Sequence, residues 1–251
     1  MKKKPLISII ITYYKKKDFI KQTLKSIFNQ SYKNFEVIFV FDENDTKDIK
    51  YLKFLLIKFK KKKIIINKKN MGVAKSRNLA IKHSKGKYLA FIDSDDIWKK
   101  NKLSKQLNFM EKNSYYFSFT SYSIIDERDK ILKQIKVTSD ANYSNLIKSN
   151  FIGLSTVMIN KKEISNLNFP NLRTQEDFGL WLKLARKGFK LKHFNQTLSL
   201  WRNCENSLSS STFTKLKDAF KLYYIYEKKN LISSLFSVLI LSYNKLIKYF
   251  K

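Results

Sequence analysis

The sequence predicts an α/β fold built on a mostly parallel, doubly wound sheet with helices on both faces. Three observations carry this reading. Residues 6–12 form a continuous apolar, largely β-branched run, the signature of a strand covered on both faces. Strand-like and helix-like segments then alternate through the first hundred residues, which implies parallel pairing through crossover helices. The uncommon polar residues also fall just past the expected strand ends, where ligands bind in open α/β sheets: Thr12 and Tyr14, Asp42, residues 67–70, and residues 93–96.

Each element has its own local reason. After the strand at 6–12, residues 18–28 place Phe19, Ile20, Leu24, Ile27 and Phe28 at helical spacing. Residues 35–41 read as a second strand and 51–59 as a helix. Residues 64–66 form a third strand, 73–83 a helix, and 88–92 a fourth strand ending at Asp93. A helix is expected over 97–110. The second half is less regular. Residues 115–125 partly alternate and pair with 131–137 across the turn at 127–130, 154–160 reads as a strand, 178–187 as a helix, and 191–200 as partly extended. From 215 onward the pattern is helical. Ile232, Leu235, Phe236, Leu239, Tyr243, Leu246, Ile247 and Phe250 form one apolar stripe, with Ser233, Ser237, Asn244, Lys248 and Lys251 opposite. That stripe packs on the rest of the chain, lies in a membrane interface among its lysines, or makes a dimer. The chain divides into residues 1–213, with halves at 1–100 and 101–213, and a helical segment at 214–251.

Of 251 residues, 51 are Lys or Arg and 20 are Asp or Glu, a formal charge of +31. Hydrophobic residues at 43% exclude a wholly disordered chain. The charge suggests nucleic acid or an anionic membrane. Only five basic residues are Arg, however, while Lys, Ile, Asn, Phe and Tyr abound and Gly and Pro number 5 and 2. A genome rich in A and T produces that bias whatever the function. Clustered Arg and any recognised nucleic-acid motif are missing, which argues against a specific nucleic-acid partner.

Cys204, the one cysteine, forms no internal disulfide and points to a reducing compartment. With His83 and His193 far apart, no His/Cys metal cluster is available, and both histidines read as structural. The basic start followed by residues 6–11 resembles a signal peptide, but the run is short and has no cleavage site. No apolar stretch approaches the roughly 20 residues needed to cross a bilayer. These features predict a cytoplasmic protein, soluble or peripheral on the inner face of the cell membrane.

Asp93-Ser94-Asp95-Asp96 directly follows an apolar strand, three carboxylates in four positions of an acid-poor chain. Such crowding is costly unless a positive charge neutralises it. Mg²⁺-type sites use one or two carboxylates together with substrate phosphates, so the cluster reads as a metal site for a diphosphate. A turn with a helix cap is the bland alternative. Asp42 is placed to accept from a base N–H or a ribose hydroxyl. Residues 70–78 put Gly72 before a helix and Arg77, a fork-shaped donor suited to phosphate or carboxylate, in its first turns. The alternative for Arg77 is a surface helix residue.

These pieces, in this order, resemble an inverting glycosyltransferase of the family-two type with the GT-A fold found in bacterial surface-polysaccharide synthesis. The matching text is Pro5-Leu6-Ile7-Ser8-Ile9-Ile10-Ile11-Thr12-Tyr13-Tyr14, residues 24–32, the strand ending at Asp42, residues 70–78, and Phe91-Ile92-Asp93-Ser94-Asp95-Asp96. Further on come Thr174-Gln175-Glu176-Asp177-Phe178-Gly179-Leu180-Trp181 and Trp201-Arg202-Asn203 through Ser207-Leu208-Ser209. The likeness spans about residues 5–211. It implies that Thr12, Tyr14 and Asp42 hold the nucleobase and ribose of a nucleotide-sugar, a UDP-sugar first among them, with Arg77 nearby. Asp93 and Asp95 become the DXD pair for Mn²⁺ or Mg²⁺, with Asp95 the more direct ligand. Asp177 becomes the catalytic base, with Glu176 binding the acceptor or orienting its neighbour, and Arg202 falls in a segment near the diphosphate. The acceptor is a glycan or a lipid-linked glycan. Thr174-x-x-Asp177 also fits an approximate capping box, which serves structure alone. Phe41-Asp42-Glu43-Asn44 keeps only the second of two aspartates common in relatives, and Ile11 and Lys15 replace their usual Pro and Asn. These departures leave the nucleobase open.

Two other readings stand beside this one. A nucleotidyltransferase also joins carboxylates, metal and an α/β sheet, but it releases pyrophosphate and the chain has no Gly-rich phosphate loop after its first strand. A non-enzymatic basic protein binding membranes or nucleic acid predicts steeply salt-dependent binding that ignores Asp93 and Asp95.

Overall fold

A computed structural model describes residues 4–43, 45–204 and 211–250. Nine strands form one sheet, in the order Lys62–Ile66, Phe35–Phe41, Ile7–Tyr13, Tyr88–Phe91, Met158–Asn160, Phe117–Ile125, Leu191–Arg202 and Ile97–Trp98, with Ile131–Ile135 paired to Phe117–Ile125. The elements of the first half run β1 (Ile7–Tyr13), α1 (Lys17–Phe28), β2 (Phe35–Phe41), α2 (Thr46–Leu56), β3 (Lys62–Ile66), α3 (Val73–His83) and β4 (Tyr88–Phe91). Strands β3, β2, β1 and β4 run parallel to one another. The order reverses between β1 and β4, so the crevice beyond their carboxyl ends is the topological switch point where open sheets take ligands.

Alternation along β1 explains the two layers. Ile7, Ile9, Ile11 and Tyr13 join a core formed with α1, α2 and α4, while Ile10 faces a second core under α3 and α6. Both faces of the sheet are thus covered, as the unbroken apolar runs of β1 and β2 require. Helix α2 starts at Thr46, earlier than the hydrophobic spacing suggests, because the Asp45 carboxylate accepts from the N–H groups of Lys47 and Asp48.

The second half continues with β5 (Ile97–Trp98), α4 (Lys102–Lys112), β6 (Phe117–Ile125), β7 (Ile131–Ile135), α5 (Tyr143–Leu146), a 3₁₀ turn at Leu154–Thr156, β8 (Met158–Asn160), α6 (Glu176–Arg186) and β9 (Leu191–Arg202). Here the sheet is mixed. β6 runs parallel to β9, whereas β4–β8, β8–β6, β6–β7 and β5–β9 are antiparallel. The helix expected from residue 97 is corrected: Ile97 and Trp98 pair with Leu200 and Ser199, and the helix begins at Lys102. Trp98 is fixed there by its indole N–H, 2.7 Å from the Ser155 carbonyl, and by its backbone N–H on Ser26 Oγ.

The chain then forms α7 (Thr212–Lys221), a π-helical turn at Leu222–Tyr226, and α8 (Leu231–Phe250). Helix α8 does pack inward, but on the face opposite to the expected stripe. Ser234, Ser237, Val238 and Leu241 are buried, whereas Ile232, Leu235, Phe236, Leu239, Tyr243 and Leu246 are exposed. Two small side chains and two aliphatics therefore form the buried face of α8. The side chains of Lys248 and Phe250, together with Lys251, lie outside the described residues, as do Ser207, Leu208 and Ser209 of the resemblance. Among the described residues no helix is long and apolar enough to cross a membrane.

Candidate active site

Strand β4 ends at the acidic turn. The Asp96 N–H bonds the Asp93 carbonyl, folding the four residues tightly. Three anchors hold that turn. Ser155 Oγ accepts from the Asp93 N–H at 3.1 Å and donates to Asp96 Oδ2 at 2.5 Å. Asp96 Oδ1 accepts from the Arg202 N–H at 2.9 Å. Asp96 is buried, and burial together with Asp95 and Asp93 pushes its carboxyl well above the ordinary range. It is the structural carboxylate of the three. Nothing local in the sequence points to Ser155, about sixty residues downstream.

Asp93 and Asp95 are freer. Asp93 Oδ1 accepts from Arg77 Nη2 at 2.7 Å, and its side chain is 33% exposed. Asp95 Oδ2 lies 2.8 Å from the Lys16 ammonium and within 3.7 Å of the Cys204 thiol. Burial works against the Lys16 charge, but Asp95 outweighs it and raises the ammonium pKa. Each aspartate keeps one carboxylate oxygen without a partner among the described residues. Two carboxylates with free oxygens fit a Mn²⁺ or Mg²⁺ site that draws its other ligands from phosphate and water. Among the described residues no group of three or more ligating side chains is assembled in advance.

Arg77 lies in the second turn of α3. It is buried, its Nη1 donates to Glu176 Oε1, its Nη2 bonds Asp93, and its plane lies 5.4 Å from the Phe169 ring centroid. The alternative of a solvated helix residue is excluded. Glu176, at the start of α6, is buried; burial raises its carboxyl while Arg77 pulls it down. Asp177 is half-buried, and burial plus the adjacent Glu176 push its carboxyl up to about 7. One of its oxygens accepts from the Phe178 N–H at 2.6 Å, and the other has no partner among the described residues.

The capping box does not form. Helix α6 begins at Glu176, and its N-cap is Gln175, held at φ 66° with no side-chain cap. Thr174 instead gives both its N–H and its hydroxyl to Asp218 Oδ2 on α7, at 2.7 and 3.1 Å. A left-handed non-glycine residue costs of order 1 kcal/mol and persists where surrounding contacts over-determine it, commonly at functional sites.

On the donor side, Asp42 follows β2 and is buried. Its Oδ1 accepts from Asn67 Nδ2 and the Met71 N–H at 2.7 and 2.8 Å, and its Oδ2 accepts from the Gly72 N–H at 2.9 Å. Asp42 thus holds the loop that leads into α3. Gly72, at φ 85°, supplies the left-handed turn that directs the helix. Thr12 and Tyr14 are half-buried at the carboxyl end of β1, and their hydroxyls have no hydrogen-bond partner among the described residues. Among the described residues no hydrogen bond joins them or Asp42 to the acidic turn.

Arg202, expected beside a diphosphate, is corrected to a structural role. It is buried, with Nε on the Asp95 carbonyl, Nη1 on the Asp126 carbonyl, and Nη2 on Gln22 Oε1 and Asp129. Phe19 covers its guanidinium at 4.7 Å. All three nitrogens are committed to protein, so Arg202 fastens β9 to the acidic turn. His83 lies beside Lys63, and His193 contacts Ser121 Oγ through its ring and donates its backbone N–H to Asp140.

Comparisons with known proteins agree with this geometry. The model of the family described as Glycosyl transferase family 2 matches residues 8–173. The chain is 37% identical over 230 residues to TuaG of Bacillus subtilis, named as a teichuronic acid biosynthesis glycosyltransferase, covering 90% of this chain and 88% of that one. It is also 37% identical over 216 residues to WfaP of Escherichia coli, named UDP-Glc:alpha-D-GlcNAc-diphosphoundecaprenol beta-1,3-glucosyltransferase, covering 84% and 82%. Among solved structures, S. aureus TarS 1–349 in complex with UDP-GlcNAc superposes with a TM-score of 0.73 at 19% identity, over 88% of this chain and 65% of that chain, and shows the shared GT-A fold. The ordered motifs, the switch-point crevice and these matches agree: the chain is a glycosyltransferase and belongs to glycosyl transferase family 2.

Proposed function

We propose that this protein transfers a sugar, with inversion, from a UDP-sugar to a hydroxyl of a lipid-linked glycan on the inner face of the cell membrane, in bacterial surface-polysaccharide synthesis. One observation carries the reading. Arg77 joins Asp93 of the acidic turn to Glu176, the neighbour of Asp177 at the start of α6, so the turn assigned to the diphosphate and the helix start that carries the assigned base share one ionic network. The names of WfaP and TuaG support the acceptor class and the pathway, and those of WfaP and TarS the donor class.

Residues 1–100 form the donor half, residues 101–213 the acceptor half, and residues 214–251 an appended segment. Thr12 and Tyr14 offer free hydroxyls to the nucleoside. An ionised carboxylate has about four acceptor sites, of which Asp42 uses three on its loop, leaving about one for a ribose hydroxyl or base N–H. Asp95 and Asp93 would hold Mn²⁺ or Mg²⁺, whose chemistry when bound would be Lewis-acid neutralisation of charge on the diphosphate. The free Asp177 oxygen takes the proton of the acceptor hydroxyl as that oxygen bonds the anomeric carbon. The bond from that carbon to the phosphate oxygen breaks on the opposite face, and the diphosphate leaves with the electron pair. Glu176 and Arg77 fix the start of α6 and so position Asp177.

A thermal-shift screen of nucleoside diphosphates, with and without Mn²⁺, tests the donor assignment. UDP with Mn²⁺ raises the melting temperature, and Asp95→Ala abolishes that shift. A wild-type protein stabilised by none of the nucleotides contradicts the reading.

A further inference from the structure

The apolar stripe of α8 is the largest feature that the catalytic reading leaves unused. Ile232, Leu235, Phe236, Leu239, Tyr243 and Leu246 lie along one side of the helix, with Ile232 at 79%, Leu239 at 66% and Phe236 at 63% exposure. The helix is not loosely attached. Val238 and Leu241 belong to the main core, and Asn244 Nδ2 bonds the Lys148 carbonyl at 2.9 Å. It is a fixed helix with its inner face satisfied and a broad apolar outer face.

Charge identifies the occupant. Residues 211–247 contain Lys215, Lys217, Lys221, Lys228, Lys229 and Lys245, and only two acidic residues, Asp218 and Glu227. Both acids are buried and paired. Asp218 takes the donors of Arg173 and Thr174, and Glu227 accepts from the Tyr143 hydroxyl and Arg186. The charge this segment shows to solvent is therefore entirely positive. A second copy of the same face would bring lysines against lysines, whereas anionic lipid headgroups complement them. An exposed apolar helix face in a segment whose exposed charge is positive has the composition of an in-plane interfacial helix, and basic residues close to an anionic leaflet add to its binding.

We infer that α8 is a membrane-docking helix that lies in the headgroup region of an anionic bilayer with its Ile232–Leu246 face inserted. The platform is rigidly joined to the acceptor side of the site. Asp218 of α7 holds Thr174, two residues before Glu176, and a Cβ added at Gly179 of α6 would lie 3.0 Å from Leu222 and 2.6 Å from Pro170. A bilayer held on α8 is thus held by the segment that braces the loop entering α6. This deepens the proposed lipid-linked acceptor and rests on that reading for its purpose, although docking itself is measured with neither donor nor acceptor.

The test is co-sedimentation of the full chain with phosphatidylcholine vesicles containing about 30% phosphatidylglycerol, beside phosphatidylcholine alone. The inference predicts binding to the anionic vesicles that weakens with salt, and at least about tenfold weaker binding for the triple variant I232S/F236S/L239S. K228E/K245E should lose the preference for phosphatidylglycerol. Since every altered side chain is solvent-facing, unchanged circular dichroism and melting temperature confirm that both variants fold. Absence of vesicle binding, or binding unchanged in the triple variant, overturns the inference. So does a dimer in sedimentation velocity that the triple variant breaks while leaving vesicle binding intact.

Discussion

The ammonium of Lys16 lies 2.8 Å from Oδ2 of Asp95, so one cation already sits against the carboxylate assigned to a divalent ion. Lys16 comes from the turn after β1, the same turn that presents Tyr14, and Asp95 from the turn after β4. The pair therefore closes the crevice at the switch point. A divalent ion has to displace or share this contact. Replacing Lys16 with Met should tighten Mn²⁺ binding to the nucleotide-free protein by about two- to fivefold, the equivalent of roughly 0.4–1 kcal/mol for a partly exposed pair. Titration of free Mn²⁺ by electron paramagnetic resonance reads this directly. Unchanged or weaker Mn²⁺ binding in the variant would show that Lys16 does not compete for Asp95.

Arg77 supplies the positive charge for two carboxylates, one of them buried. Arg77→Met leaves Glu176 without its partner and should destabilise the fold by about 3 kcal/mol, in the range seen when one member of a buried pair is removed. Arg77→Lys keeps a charge but not the two-armed geometry and should fall between wild type and Met. Urea unfolding with a constant slope measures both.

Ser155 is the unforeseen support of the acidic turn. Ser155→Ala removes the acceptor of the Asp93 N–H and the donor to buried Asp96 together. The expected cost is about 2 kcal/mol of stability, from two hydrogen bonds lost and a buried carboxyl oxygen left unpaired. Because the same turn carries Asp93 and Asp95, UDP–Mn²⁺ should also bind more weakly, as isothermal calorimetry would show. A variant with both stability and UDP–Mn²⁺ affinity at wild-type levels would remove Ser155 from the account.

The raised Asp177 carboxyl sets the pH profile. A general base works ionised, and the Asp177 carboxyl titrates at about 7. Turnover should therefore rise with pH through about 7, with a limiting slope of one proton on the acid side, about tenfold per pH unit. The same shift has the opposite sign for folding. A carboxyl raised above its unfolded value binds more protons in the native state, so its contribution to stability declines as pH rises from about 4 to 7. A flat turnover profile between pH 5 and 8 would show that Asp177 is not the titrating group.

The legible parts of this protein are those written in local pattern. The run over Ile7–Tyr13 shows a doubly covered strand because both alternating faces are buried, and Val73–His83 is bounded by Gly72 and carries its own helical spacing. The acidic turn stands out against a lysine-rich background. What stays hidden depends on contacts between distant residues. Trp98 reads as helical, yet its indole and backbone are claimed by Ser155 and Ser26, so it enters a strand. Thr174 reads as a cap until Asp218, 44 residues on, takes its donors. Arg202 reads as a cation near the diphosphate, yet the acidic turn, the turn after β6 and helix α1 all hold its guanidinium. The α8 stripe stays open between core, membrane and dimer in the sequence, because hydrophobic periodicity names an apolar face and not its partner.

The central claim is that Asp177 removes the acceptor proton while the acidic turn holds the donor. It is tested most directly by the rate of UDP release from a UDP-sugar, with Mn²⁺ and a lipid-diphosphate acceptor, for wild type and Asp177→Asn. The account predicts a loss of at least about a hundredfold in kcat for the variant, in line with the usual worth of a general base, with UDP–Mn²⁺ affinity unchanged. Normal turnover by Asp177→Asn, or release of pyrophosphate in place of UDP by the wild type, would contradict it.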